Sequence, residues 1–167
     1  MPPPDKSDPK GGSAWIITDG RAGMQTHCIG IAEKLGLVYE LKNIELRGFW
    51  KFLAPWGPAP FYDKLGDASG QFSKPWPDFA IASGRRAVPY IRSIRRKSEG
   101  KTFTIILQDP RSGAGSADLI WVPVHDRLRG PNVVTTLTAP HKFSPDYLAE
   151  LRRSVPPSIG VLPHPRV

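Results

Sequence analysis

Five short polar segments hold the side chains that could do chemistry, and each follows or opens an apolar run. The first is Asp19-Gly20-Arg21-Ala22-Gly23, with Gln25 and His27 just beyond. A carboxylate can take a proton, a guanidinium can hold an oxyanion, and Gly20 and Gly23 would let backbone N–H groups approach a ligand at a helix N-terminus. The plain alternative is a tight turn that needs glycine. The second segment is Ser83-Gly84-Arg85-Arg86. Arginine forks match phosphate or carboxylate through paired hydrogen bonds. The basic residues further along, Arg92, Arg95, Arg96 and Lys97, read more simply as a solvated helix face. The third, Gln108-Asp109-Pro110-Arg111, presents a charged pair that either meets a ligand or fixes its own loop. The fourth, His125-Asp126, sets an imidazole beside a carboxylate, as acid–base chemistry requires, although sequence neighbours need not touch. The fifth joins Asn132, which can also simply begin a strand, to the later His141.

Other chemistries lack their patterns. There is no G-x-G-x-x-G fingerprint and no G-x-x-x-x-G-K-[ST] loop, which argues against dinucleotide binding and P-loop hydrolysis. No G-x-S-x-G elbow occurs. The histidines at 27, 125, 141 and 164 are scattered, and neither C-x-x-C nor H-E-x-x-H is present. No metal site and no cofactor are therefore expected. The single cysteine, Cys28, excludes a disulfide within the chain and lies in an apolar helical pattern, so a packed thiol is expected.

The elements that must position these residues alternate. Residues 14–18 (AWIIT) form a short apolar run that ends at the first polar segment. Met24, Cys28, Ile31, Ala32 and Leu35 then recur at helical spacing, with Gly36 placed as a C-cap. Residues 38–44 read as a strand. Residues 78–82 read as another, followed by a helix with Ala87, Ile91 and Ile94 on its buried face. Residues 102–107 (TFTIIL), 118–124 and 132–136 supply three more strands. A last helix is announced by Ser144 as N-cap, Pro145 and Asp146 in its first turn, and Phe143 facing Leu148, with prolines 156 and 157 ending it. About six strands and three helices in alternation predict a three-layer α/β sandwich with a Rossmann-like parallel sheet. Parallel strands all end on one side, so Asp19, Ser83, Asp109 and His125 should share the carboxyl edge of that sheet.

Residues 47–77 break the alternation. They carry Trp50, Trp56 and Trp76 among prolines 55, 58, 60, 75 and 77, which prevent a long regular element. These aromatics could cover the sheet, form a lid or bind a partner; the plain reading is an insertion packed on its own domain.

At 167 residues, with 40% hydrophobic and 23% charged residues, the chain suits one globular domain. No apolar run approaches the length of a membrane span, and residues 1–12 read as a flexible tail without the apolar stretch of a secretory signal. A cytoplasmic location follows, with peripheral membrane attachment as the alternative. The net charge of +8 favours anionic partners such as phosphates, nucleotides or acidic lipid heads, and nothing marks specific nucleic-acid recognition.

The polar segments in order resemble one family. Asp-Gly-Arg-Ala-Gly-x-x-Gln, Ser-Gly-Arg-Arg, Gln-Asp-Pro-Arg, Asp-Leu-x-x-Val-Pro-x-His-Asp and Asn-Val with a downstream His are similar to the motifs of the ELM-type family. That family is named for a plant mitochondrial fission protein, and many bacterial members are glycosyltransferase-like. The resemblance implies the N-terminal, acceptor-side domain of a two-domain GT-B glycosyltransferase, using a nucleotide sugar and an unidentified acceptor and needing no bound metal. Residues 13–157 would be that domain and 158–167 the start of a linker to a missing C-terminal domain, so the chain alone would be inactive. Asp19, His125 and Asp126 become candidates for the base that deprotonates an acceptor hydroxyl. Gly20, Arg21, Gly23, Gln25, Ser83, Gly84, Arg85, Arg86, Asp109, Arg111 and Asn132 become ligand-binding candidates. Without its partner domain, the 47–77 loop and the residues after Pro156 should be mobile or packed against another copy. The alternative is a non-catalytic adaptor for an anionic membrane surface or a protein partner, which exposure of Trp50, Trp56 and Trp76 would favour.

Overall fold

Runs of β-branched and aliphatic residues too short for helices become six strands that hydrogen-bond into one sheet. A computed structural model describes residues 11–138, 148–150 and 153. The strands are β1 (Ser13–Thr18), β2 (Val38–Asn43), β3 (Phe79–Ser83), β4 (Phe103–Leu107), β5 (Leu119–Pro123) and β6 (Val133–Thr136). They pair in the order β2-β1-β3-β4-β5-β6, and every pairing is parallel. The helices α1 (Ala22–Lys34) and α3 (Val88–Lys97) carry the chain from β1 to β2 and from β3 to β4, with a single turn, α2 (Trp50–Leu53), between β2 and β3. The Rossmann-like α/β architecture is the one expected.

The central strands are apolar on both faces because both faces are covered. Ala14, Ile16, Ile81, Ile105 and Leu107 pack with Cys28 and Ala32 of α1. The alternate residues Ile17, Ala82, Ile106 and Ile120 pack with Val88, Ile91 and Ile94 of α3. Helix α1 starts two residues before Met24, since neither Ala22 nor Gly23 interrupts it once Gly20 has turned the chain at φ +82°. It ends as predicted: Gly36 takes φ +65°, its N–H bonds the Glu33 carbonyl and that of Leu37 the Ala32 carbonyl, a Schellman closure.

The 47–77 stretch packs on the chain's own sheet. Phe72 is fully buried, and Trp15 meets the rings of Phe72 and Trp76 edge-on at 5.8 and 5.7 Å. Leu65 and Ala54 join the same core. The plain reading of an insertion packed on its own sheet is right, because its apolar residues close the α3 face. Of the three tryptophans, Trp50 and Trp76 are half-buried and Trp56 alone is exposed.

The later basic run is also more than a solvated face. Arg92 donates to the Trp56 carbonyl at 2.8 Å and Lys97 to that of Leu65 at 2.8 Å, tying the insertion to α3. Arg95 pairs with Asp118 at 2.8 Å. Main-chain carbonyls in an irregular insertion need donors, and long cationic side chains reach them.

Residues 148–150 and 153 are helical, where the last helix is expected. Its start signals Phe143, Ser144, Pro145 and Asp146, the residues from Pro156 onward, His141 and most of the N-terminal tail lie outside the described residues.

Candidate functional site

The carboxyl edge collects the loops after β1, β3, β4 and β5, so Asp19, Ser83, Asp109 and His125 do lie on one side of the sheet. Within that edge, the point between β1 and β3 is special. From β1 the chain crosses by α1 to β2 on one side; β3 pairs with β1 on the other and leads into α3. The helices depart to opposite faces, which opens a crevice at this switch point.

Two sequence segments meet there. Thr18 ends β1 and accepts the Gly20 N–H on Oγ1 at 3.1 Å, fixing the turn. Asp19 between them has a side chain only 10% exposed. Its Oδ2 takes Arg86 Nη1 at 3.3 Å across the crevice and lies 3.4 Å from Arg21 Nε beside it. Its Oδ1 is buried and receives no hydrogen bond from the described residues. A buried carboxylate oxygen without a donor costs about 1–3 kcal/mol and asks for a reason. Gly84 brings the two segments close: it holds φ +86°, and a Cβ there would stand 2.8 Å from Met24 Sδ of α1. Arg85 is exposed and has no acidic partner among the described residues.

Helix α1 opens on this crevice without a side-chain cap and without an acidic residue in its first turn. Its leading N–H groups therefore favour an anion. Gly20 is required by its backbone angle, whereas a Cβ on Gly23 would meet nothing within 4 Å, so packing does not require glycine there. Gln25 and His27 lie half-buried in the first turns, and His27 Nδ1 is buried without a partner among the described residues.

The remaining candidates divide into those already engaged and those left free. Ser83 is buried and donates its hydroxyl to the Leu107 carbonyl at 3.2 Å, fastening β3 to β4. Asn132 gives its amide to the carbonyls of Ala114 and Ala117, both at 2.9 Å, pinning the short 3-10 turn Ala114–Ser116. Asp109 accepts the Arg111 N–H at 2.8 Å, shaping a loop in which Gln108 and Arg111 sit at φ +84° and +63°. Left-handed backbone at non-glycine residues costs energy, here as at Lys64 and Glu99 elsewhere in the chain. The Arg111 side chain is exposed. His125 is exposed and Asp126 half-buried; no hydrogen bond or ion pair joins them among the described residues, so adjacency in sequence does not make a dyad here. Their loop is closed by Arg129, which donates to the carbonyls of Val124, Asp126 and Leu128 at 3.0, 2.5 and 2.7 Å. Sequence reasoning missed Arg129, and nothing short of the folded loop reveals it.

Two other ionisable groups stand outside the site. Burial pushes the Cys28 thiol up to about 12 against a smaller opposing backbone hydrogen bond, which makes it the inert packed thiol expected. Burial, and then donation to Asp63, holds the Tyr90 hydroxyl above its ordinary range. Among the described residues no group of three or more His, Cys, Asp or Glu could hold a metal.

Fold and edge together define a Rossmann-like α/β domain with a polar crevice at its switch point. The chain matches the model of the mitochondrial fission ELM1 family over residues 22–167, and it belongs to that family. The matched span begins with α1, just after Asp19, Gly20 and Arg21. Comparison with curated proteins and with solved structures gave no match. No helix among the described residues is long and apolar enough to cross a membrane.

Proposed function

We propose that this chain is the N-terminal, acceptor-side domain of a GT-B-like glycosyltransferase that uses a nucleotide sugar. The order of the five polar segments supports this reading. The observation that carries it is the Asp19–Arg86 pair across the switch point, with Asp19 Oδ1 buried and without a donor among the described residues. In glycosyl transfer an acceptor O–H loses its proton, its oxygen bonds to the anomeric carbon, and the bond from that carbon to the nucleotide's phosphate oxygen breaks. The Asp19 carboxylate is the base proposed for that proton, held in place by guanidinium contacts on Oδ2. His125 and Asp126 are alternative bases on the same edge. Arg85, Arg86 and Arg111, with the uncapped start of α1, attract the negative charge of phosphate groups. Gly20, Arg21, Gly23, Gln25, Gly84 and Asp109 shape or line the approach, while Ser83 and Asn132 hold the strands and turn behind it.

A cleft of this kind orients two substrates between two walls, and this domain is proposed as one of them. Calorimetric titration with a panel of nucleotide sugars, alongside a turnover assay, tests the reading. The 167-residue chain is expected to bind phosphate-bearing ligands weakly, to lose about tenfold in affinity on Arg86→Ala, and to show no turnover. Robust turnover by the purified chain overturns the half-cleft reading. Binding indifferent to Arg86→Ala overturns the site.

A further inference from the structure

Every exposed phenylalanine, tyrosine and tryptophan among the described residues falls in one insertion. Phe49 is 70% exposed, Phe52 81%, Trp56 64%, Phe61 80% and Tyr62 38%. Phe49 and Phe52 stand three residues apart on the α2 turn. Trp50 between them meets Phe61 at 6.0 Å and Tyr62 at 6.5 Å, so both ends of the insertion share one patch. At roughly 150–250 Å² per aromatic side chain, those fractions leave about 600 Å² of ring surface uncovered. Scattered exposed hydrophobics are ordinary, whereas a joined patch of this size marks an interaction site.

The patch is fastened from behind. The Tyr62 hydroxyl accepts the Arg47 N–H at 3.2 Å and donates to the Glu45 carbonyl at 3.1 Å. The Ala59 N–H donates to Ser93 Oγ at 3.4 Å, and Arg92 to the Trp56 carbonyl at 2.8 Å. A surface fixed before contact loses little freedom on binding. Its charge is balanced. Residues 45–67 hold three acids, Glu45, Asp63 and Asp67, and three bases, Arg47, Lys51 and Lys64, so the segment is neutral in a chain of net charge +8. Glu45 and Arg47 pair with each other at 3.0 Å, and Asp63 accepts the Tyr90 hydroxyl.

We infer that residues 49–62 form a two-fold contact with a second copy of this chain. Two facing copies bury about 1,200 Å², the lower end of stable specific interfaces. A two-fold axis sets the same patch on both sides, so an acid of one copy can face a base of the other. A patch carrying both signs allows this; a patch of one sign would repel itself. The same balance argues against an anionic bilayer or another polyanion, which net positive charge attracts and this segment does not supply. Phe52 and Phe61, the most exposed rings, anchor the contact. The inference does not rest on glycosyl transfer and uses no residue of the crevice.

Sedimentation velocity of the full chain tests it, over roughly 1–300 μM, because an interface of this size dissociates in the micromolar range. The chain should pass reversibly from monomer to dimer and go no further, since a two-fold contact closes on itself. Phe52→Ser with Phe61→Ser should weaken the dimer by at least about hundredfold, each loss counting in both copies, and should keep the parent's circular dichroism. Arg86→Ala should dimerise like the parent, which separates this surface from the crevice. In the parent itself, dilution over the same range should move the amide NMR signals of residues 49–62 and leave those of Gly20 and Gly84 in place. A parent that stays monomeric, dilution shifts centred elsewhere, or phenylalanine variants that dimerise like the parent would overturn the proposal. A monomeric parent that floats with phosphatidylcholine vesicles would assign the patch to lipid and overturn it as well.

Discussion

The two edges of the sheet use aspartate in opposite ways. At the amino edge Asp78, ahead of β3, accepts both the N–H and the hydroxyl of Ser13 at 2.8 Å, and its own N–H returns to Ser13 Oγ at 3.1 Å. Asp118, ahead of β5, repeats the device with Thr104: 2.9 Å from the N–H, 2.6 Å from the hydroxyl, 2.9 Å in return, with Arg95 on its other oxygen. Each acid staples the start of one strand to its neighbour. At the carboxyl edge Asp19 keeps one buried oxygen without a donor among the described residues. On the proposed reading, the amino edge serves folding and the switch-point crevice serves binding.

The contrast can be broken by substitution. The largest effect is expected at Asp118→Ala, which removes two charge-assisted hydrogen bonds and an ion pair: about 3 kcal/mol in urea unfolding, with ligand binding at the crevice intact. Gly84→Ala is expected to cost about 2 kcal/mol, because alanine at φ +86° is strained. Relieving the Met24 contact by Met24→Ala in the same chain should leave most of that cost, which would show that backbone strain and not crowding is responsible. Asp78→Ala should cost about 1 kcal/mol, less than Asp118 because Asp78 is exposed. The Ser13 amide, and then its hydroxyl, hold the Asp78 carboxyl below its ordinary range. Its contribution is therefore full above the ordinary carboxylate pKa and is lost as pH falls through the lower folded value. The urea midpoint of the parent should fall toward acid more steeply than that of Asp78→Asn. Asp19→Asn should be smallest, less than about 1 kcal/mol, since its guanidinium partners are partly or largely solvent-exposed. A loss at Asp19 as large as at Asp118 would erase the distinction between the edges.

Much of the fold was legible because strands buried on both faces must be continuously apolar; residues 103–107 and 119–123 announce themselves that way. Parallel strands joined by helices then forced the polar segments to one edge. What stayed hidden depends on partners distant in sequence. Asp118 was read as the start of a strand, and only the register of β4 beside β5 sets Thr104 against it. Asn132 carries the amide of a ligand contact, yet two carbonyls some fifteen residues back consume both its N–H groups. His125 and Asp126 look like a dyad in the sequence because neighbours are easily imagined as partners; a turn closed by the Asp126 N–H on the Pro123 carbonyl leaves them unpaired. Which aromatics of the insertion turn outward also depends on distant partners. Trp50 and Trp76 find rings to pack on, and the phenylalanines of the α2 turn do not.

The most direct test of the account is a map of where an anion perturbs the backbone. In an amide NMR titration of the full chain with inorganic pyrophosphate, shifts should concentrate at Gly20, Gly23, Gly84 and Arg86, beside the uncapped start of α1 and the Asp19–Arg86 pair, and Arg86→Ala should abolish them. Shifts centred instead on Asp78, Asp118 and their strand partners, or spread evenly over the basic surface, would contradict the assignment of ligand binding to the switch-point crevice.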